Sequence, residues 1–193
     1  MELPYKIILA SNSPRRRELL AGLGIDFTVK VISGIDESWP REFKGEDIPL
    51  YISREKAAPY KQLIGTNELV ITADTIVYVD GEVLGKPHDM ADARRMLHLI
   101  SGRWHEVITG VTLMTAVREH SFAVTTRVKF CDLTDNEIGQ YVESGMPMDK
   151  AGAYGIQEWI GYVGVEAIEG SYFNVVGLPV QRLYRELISF CNQ

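Results

Sequence analysis

The chain is poor in the features that mark several protein classes. It has only two cysteines, Cys131 and Cys191, far apart and outside any paired motif, a usage that fits reduced thiols rather than a disulfide framework or a thiolate zinc site. No uninterrupted apolar run approaches the length of a membrane span, and Met1-Glu2-Leu3-Pro4 lacks the basic start and apolar stretch of a secretory signal. A cytoplasmic location is therefore expected. Positive charge is in deficit, with 20 Lys and Arg against 26 Asp and Glu and a net charge of −6, which argues against nucleic acid and anionic membrane as partners. Neither Gly-x-x-x-x-Gly-Lys-Ser/Thr nor Gly-x-Gly-x-x-Gly occurs, so a phosphate site here is of another type. The four histidines, His88, His98, His105 and His120, fall on separate predicted elements without i, i+4 pairing, which disfavours a zinc hydrolase. There is no repeat, low-complexity tract or linker.

What remains is an ordinary globular composition. At 193 residues and 46% hydrophobic, the chain can bury a full core as one domain over 1–193, with room for two lobes. Strand-like and helix-like patterns alternate. Tyr5 to Ala10 reads as a strand, Ser13-Pro14 opens a helix with Leu19, Leu20 and Leu23 on its apolar face, and Phe27 to Ile32 reads as a second strand. A polar loop from Gly34 to Gly45 is long enough to suggest function. Asp47 can cap a helix running to about Ile64. Glu68 to Ala73 is a buried strand, and Asp80-Gly81 lies between apolar alternations from Ile76 to Leu84, a hairpin signal. Asp89 opens a third helix with Met96, Leu97 and Ile100 at helical spacing. Val107 to Val117 and Phe122 to Cys131 read as paired strands. Thr134-Asp135-Asn136-Glu137 is a capping box whose helix ends near Gly145. Tyr162 to Ile168 reads as a strand, and Val180, Leu183, Leu187 and Ile188 mark a terminal helix. The fold class is α/β, a mixed twisted sheet flanked by helices.

The most informative stretch is Ser13-Pro14-Arg15-Arg16-Arg17-Glu18-Leu19-Leu20. A helix N-terminus carries partial positive charge, so each arginine in the first turn costs roughly 0.3–1 kcal/mol unless something negative sits there. An anion is the simplest resolution, since backbone N–H groups and guanidinium forks together form a phosphate site. A solvated basic patch is the alternative. In an acidic molecule, the cluster points to a small anionic ligand.

Asp74 stands at the carboxyl end of the predicted strand ending Thr72-Ala73, where open α/β sheets place ligands. It is a candidate base or metal ligand, the alternative being a turn cap. Glu37, in the polar loop, is a second carboxylate that by itself reads as solvated. Mg²⁺ takes one or two carboxylates plus substrate phosphate oxygens, so such a sparse acidic pair suits nucleotide chemistry. Lys56 on the second helix, and Lys86 between Gly85 and Pro87, could cancel phosphate charge. Each alone reads equally as a solvent-facing lysine.

Taken in order, Ser11-x-Ser13-Pro14-Arg15-Arg16-x-Glu18-Leu19-Leu20, Arg54-Glu55-Lys56-Ala57, Ala73-Asp74-Thr75, Lys86-Pro87, Ser101-Gly102-x-x-His105 and Asp149-Lys150-Ala151-Gly152-Ala153-Tyr154-Gly155-Ile156-Gln157 resemble the signature of the Maf nucleotide pyrophosphatases over nearly the whole chain. The last block is similar to the dTTP/UTP pyrophosphatase branch. The resemblance implies a Maf/ITPase-like fold with two lobes around a central cleft, often dimeric. It implies hydrolysis of dTTP and UTP, with modified pyrimidine nucleotides as a further class, to the monophosphate and pyrophosphate with a divalent cation, Mg²⁺ or Mn²⁺. By matching position, Asp74 would be the proton acceptor. Arg15, Thr75 and Gln157 would set substrate preference, and Glu37, Lys56 and Lys86 would complete the phosphate and metal site. Asn12 stands where the family often has glycine.

Cleavage between the α and β phosphates requires an in-line water, charge neutralisation and a stabilised leaving group. Asp74 with Glu37 is assigned the metal and the water, and Arg15, Arg16, Lys56 and Lys86 with the Ser11 and Ser13 hydroxyls the triphosphate. Uracil and thymine present an N–H between two carbonyls, an edge that the Gln157 amide can match with a donor and an acceptor. Two other readings stay open: a pyrophosphatase of the 7-methyl-GTP branch, and a nucleotide-binding regulator of cell division without turnover.

Overall fold

The computed structural model describes residues 3–192; Met1 and Glu2, part of the segment read as lacking a secretory start, lie outside the described residues. Lys6 and the three apolar residues Ile7, Ile8 and Leu9 form β1 (Lys6–Leu9), which pairs in parallel with β2 (Phe27–Val29) and with β3 (Glu68–Val79), in registers that place Ile7 opposite Phe27 and Leu69. Parallel strands are covered on both faces, and this is why Ile7, Ile8 and Leu9 are all buried. The remaining strands are β4 (Glu82–Leu84), β5 (Trp104–Met114), β6 (Glu119–Phe130) and β7 (Val165–Glu169). The strand order is β2-β1-β3-β5-β6-β7, with β4 paired to β3, and β4 and β7 are antiparallel to their partners. This is a mixed seven-stranded sheet flanked by helices.

The chain divides into two compact units. The first comprises Met1–Asp74, Thr109–Val124 and Gly177–Gln193, and the second Thr75–Ile108 and Thr125–Val176. In the first, α1 (Pro14–Ala21) and α7 (Val180–Cys191) cover Ile7 and Leu9 of β1 with Leu20, Leu183 and Leu187. On the opposite face, Ile8 and Val70 pack with Ala57 of α2 (Asp47–Ala57) and with Tyr60. Each such Ile, Leu or Val side chain contributes roughly 1.5–3 kcal/mol by leaving water. Asp47 is the first residue of α2 and not its cap; Glu46 occupies that position without a side-chain capping hydrogen bond to the helix. The helix ends at Ala57 instead of reaching Ile64 because Pro59 follows, and Ala58–Gln62 tightens into a 3-10 turn.

In the second unit, β3 and β4 form the hairpin expected at Asp80-Gly81, where φ values of 50° and 86° make the left-handed two-residue turn. Asp89 caps α3 (Met90–Ile100) by accepting from the Asp92 amide, and the Thr134–Glu137 capping box opens α4 (Asp135–Glu143). Leu97, Ile100, Ile138, Tyr141, Phe130 and Tyr154 share one core. Tyr162 to Ile168 departs from expectation: α5 (Trp159–Gly164) precedes a shorter β7. Ile160 and Gly164, four residues apart, are both buried, so helical spacing overrides the β-branched run. A short α6 (Tyr172–Val176) precedes the final segment. Among the described residues, no helix is long and apolar enough to cross a membrane.

Candidate active site

The expected residues divide between the two units. Ser11, Ser13, Arg15, Arg16, Glu37, Lys56 and Asp74 belong to the first; Thr75, Lys86 and Gln157 belong to the second.

In the first unit, Ser13 has the extended backbone of an N-cap and its hydroxyl accepts from the Arg16 amide at 3.4 Å, while the Ser13 amide donates to Ser11 Oγ at 3.2 Å. Both serines are therefore anchored to the first turn of α1. Asn12, the departure from the motif, has no positive φ. The three arginines do different things. Arg16 donates through Nη1 to the Ala73 carbonyl at 2.8 Å and through Nε to the Gly177 carbonyl at 2.9 Å. Arg17 is exposed and donates to the Asn12 carbonyl at 3.1 Å. Backbone carbonyls thus supply the negative partners of two of the three, where the sequence suggested one shared anion. Burial pushes the Arg16 guanidinium below the ordinary arginine value, with Asp74 opposing that shift. Arg16 consequently ties α1 to the residue immediately before Asp74.

Asp74 lies inside β3, not at its end, because the strand runs unbroken from Glu68 to Val79. It is buried. Lys56 Nζ donates to Asp74 Oδ1 at 2.7 Å and meets Glu37 Oε1 at 3.1 Å. One ammonium thus gathers both carboxylates that the sequence singled out. Lys56 is placed by the packing of α2: Ser53, three residues earlier, bonds Thr112 Oγ1 at 2.9 Å, and its carbonyl accepts from Thr72 Oγ1 at 2.6 Å, two residues before Asp74. A buried hydroxyl chain, unnoticed in the sequence, sets the helix against the strand. Among the described residues, no group of three or more His, Cys, Asp or Glu gathers as a metal site. The oxygen pair of Asp74 and Glu37 matches the sparse carboxylate set that Mg²⁺ uses when phosphate and water complete its shell.

In the second unit, Thr75 is half-buried and Lys86 exposed. The Gly85 carbonyl, next to Lys86, accepts from the Gly152 amide at 3.0 Å, which joins the Lys86 loop to the block carrying Gln157. Gln157 is half-buried, and its Oε1 is buried without a hydrogen-bond partner. Beside it, Lys150, Glu158 and Tyr141 form a buried polar cluster. The sequence carried no signal for its burial, which depends on how the 146–158 segment folds on itself and against Tyr141 of α4. His105 is buried with Nε2 at 2.8 Å from Tyr154 Oη, and burial lowers its pKa to about 4. Both cysteines are free thiols.

Comparison with known proteins agrees with this arrangement of motifs. A protein of Phocaeicola vulgatus named dTTP/UTP pyrophosphatase is 61% identical over 183 residues, 95% of each chain. One of the same name from Bacteroides fragilis is 59% identical with the same coverage, and one from Flavobacterium psychrophilum is 44% identical over 95% of this chain and 94% of its own. Among solved structures, the Ham1 protein of Staphylococcus aureus matches with a TM-score of 0.51 at 16% identity, covering 94% of this chain and 99% of that one. That likeness concerns the fold. The family model described as Maf-like protein matches residues 6–190, and the chain belongs to that family.

Proposed function

We propose that residues 1–193 act as one catalytic domain that hydrolyses dTTP and UTP to the monophosphate and pyrophosphate. The observation that carries this reading is the Lys56 ammonium held by Asp74 and Glu37, in the same unit as the serine- and arginine-bearing start of α1. The names of relatives 44–61% identical support the substrate.

Asp74 is the proposed proton acceptor from the attacking water. Its burial keeps competing water away, and Lys56 orients it. Arg15 and the α1 amides are the proposed phosphate ligands, with the Ser11 and Ser13 hydroxyls beside them. Arg16, with two donors committed to the Ala73 and Gly177 carbonyls, is assigned a supporting role: it fixes the β3 backbone at the base. Lys56 and Lys86 offset triphosphate charge, and Thr75 and Gln157 contribute to substrate choice. Asp74 and Glu37 would hold a divalent cation, whose chemistry when bound is to lower the pKa of water and neutralise phosphate charge.

The test is a nucleotide panel with Mg²⁺ or Mn²⁺, scoring pyrophosphate against orthophosphate for the native protein and Asp74→Asn. The expected result is pyrophosphate from dTTP and UTP, and a kcat lowered by about 10²–10⁴ in the variant. Orthophosphate as sole product, or an undiminished rate in Asp74→Asn, would overturn the assignment.

A further inference from the structure

We propose that Tyr141, Lys150 and Glu158 are positioning residues that fix the Gln157 carboxamide with its carbonyl oxygen presented to the nucleobase; this rests on Gln157 as the base reader. Lys150 is only 7% exposed, so its charge must be matched locally. Its Nζ donates to the Met146 carbonyl at 2.5 Å and to Asp149 Oδ1 at 2.6 Å, and lies 2.8 Å from Glu158 Oε1. Three ammonium protons thus have three acceptors. The other carboxylate oxygen of Glu158 accepts from the Tyr141 hydroxyl. That hydroxyl in turn accepts from the Gly155 amide at 3.2 Å, and the Glu158 amide donates to the Gly155 carbonyl at 2.9 Å. The turn 155–158 is therefore held at both backbone ends and through one side chain, with Gln157 between the anchored positions.

The close approach occurs at Gly155. A Cβ there would stand 2.8 Å from Glu158 Cδ, 2.8 Å from Lys150 Cε and 2.9 Å from Gln157 Nε2. Only a residue without a side chain lets the ion pair and the carboxamide pack on the same α-carbon. The pair and the amide thereby crowd the same backbone position of the turn. Gln157 Oε1 is left buried and unpartnered, an arrangement that is costly unless a ligand donor completes it. The N–H between the two carbonyls of uracil or thymine is such a donor. Cytosine presents a ring nitrogen acceptor at that position, which would face the carbonyl unpaired. A buried ion pair is a weak source of stability but can hold a single geometry, and holding one amide orientation is what this discrimination requires. Burial and the neighbouring carboxylate both raise the Tyr141 pKa, so its hydroxyl remains a donor throughout the working range.

The experiment measures kcat/KM for UTP and CTP in the native protein, Tyr141→Phe, Glu158→Gln, Gln157→Leu and the Tyr141→Phe/Gln157→Leu double variant, with thermal melts alongside. Tyr141→Phe and Glu158→Gln are expected to lower the UTP-over-CTP preference about tenfold, with the change in KM for UTP. Adding Tyr141→Phe to Gln157→Leu is expected to lower the preference no further, because the hydroxyl acts through the amide. Native preference in both folded single variants, or independent multiplication of effects in the double variant, would overturn the positioning role while leaving Gln157 in place. An unchanged preference in Gln157→Leu would remove the base reader, and the positioning role with it. Should one single variant fail to fold, the other carries the measurement.

Discussion

Lowering the pH should unfold this protein partly through one buried imidazole. His105 is 2% exposed, shares its Nε2 with Tyr154 and has no partner for Nδ1. Protonation would place a charge and a second N–H where no acceptor waits. Burial accordingly lowers its pKa from 6.5 to about 4. The unfolded chain takes up this proton below pH 6.5 while the folded chain resists it, so stability is intact above 6.5, falls as pH drops, and stops falling below the folded value. At about 1.36 kcal/mol per pH unit, the gap amounts to ~3 kcal/mol in the limit and ~2 kcal/mol at pH 5. Against a net stability of about 5–15 kcal/mol, that is a large share. Urea unfolding at pH 8 and pH 5 for the native protein and His105→Asn isolates the contribution, because the other titrating groups are common to both. The native protein should lose ~2 kcal/mol more than the variant. Equal losses, or an imidazole whose NMR titration is centred near 6.5, would refute the reasoning.

Other expectations follow from the same contacts. Gln157→Leu should erase most of the UTP-over-CTP preference in steady-state kinetics without lowering the melting temperature, since the carbonyl it removes has no partner in the fold. Arg16→Met leaves the Ala73 and Gly177 carbonyls without their donor and should cost about 1–3 kcal/mol in chemical denaturation as well as activity. Gly152→Ala should destabilise by about 2 kcal/mol or more in the same assay, because φ there is +67° and the new methyl would stand 2.7 Å from Val77 Cγ2. Thr134→Ala, which breaks the capping box of α4, should cost about 1 kcal/mol with kinetics unchanged.

Much of the local structure was readable because its causes are local. Ser13-Pro14, Asp89 and Thr134-x-x-Glu137 each satisfy amides within three residues, and Asp80-Gly81 turns a hairpin by its own dihedral angles. The misread boundaries are those where distant packing won. β3 continues through Asp74 and Thr75 past its apolar run, and α5 takes residues whose β-branching favours a strand. The site was legible as a set of residue types, and less so as a set of roles. Three consecutive arginines suggested one anion, whereas two of them are directed at carbonyls of different segments.

The sequence by itself determined the caps, the turns, the apolar faces and the order of motifs, because each of these depends on atoms a few bonds or one helical turn apart. Only the tertiary structure decided which charges meet. Lys56 finds Asp74 across 18 residues, Arg16 finds Ala73 across 57 and Gly177 across 161, and Tyr141 finds Glu158 across 17. A buried ion or donor must be matched by whatever acceptor the packed sheet brings near, and that acceptor is chosen by strand register and helix packing, which no local stretch of the chain contains.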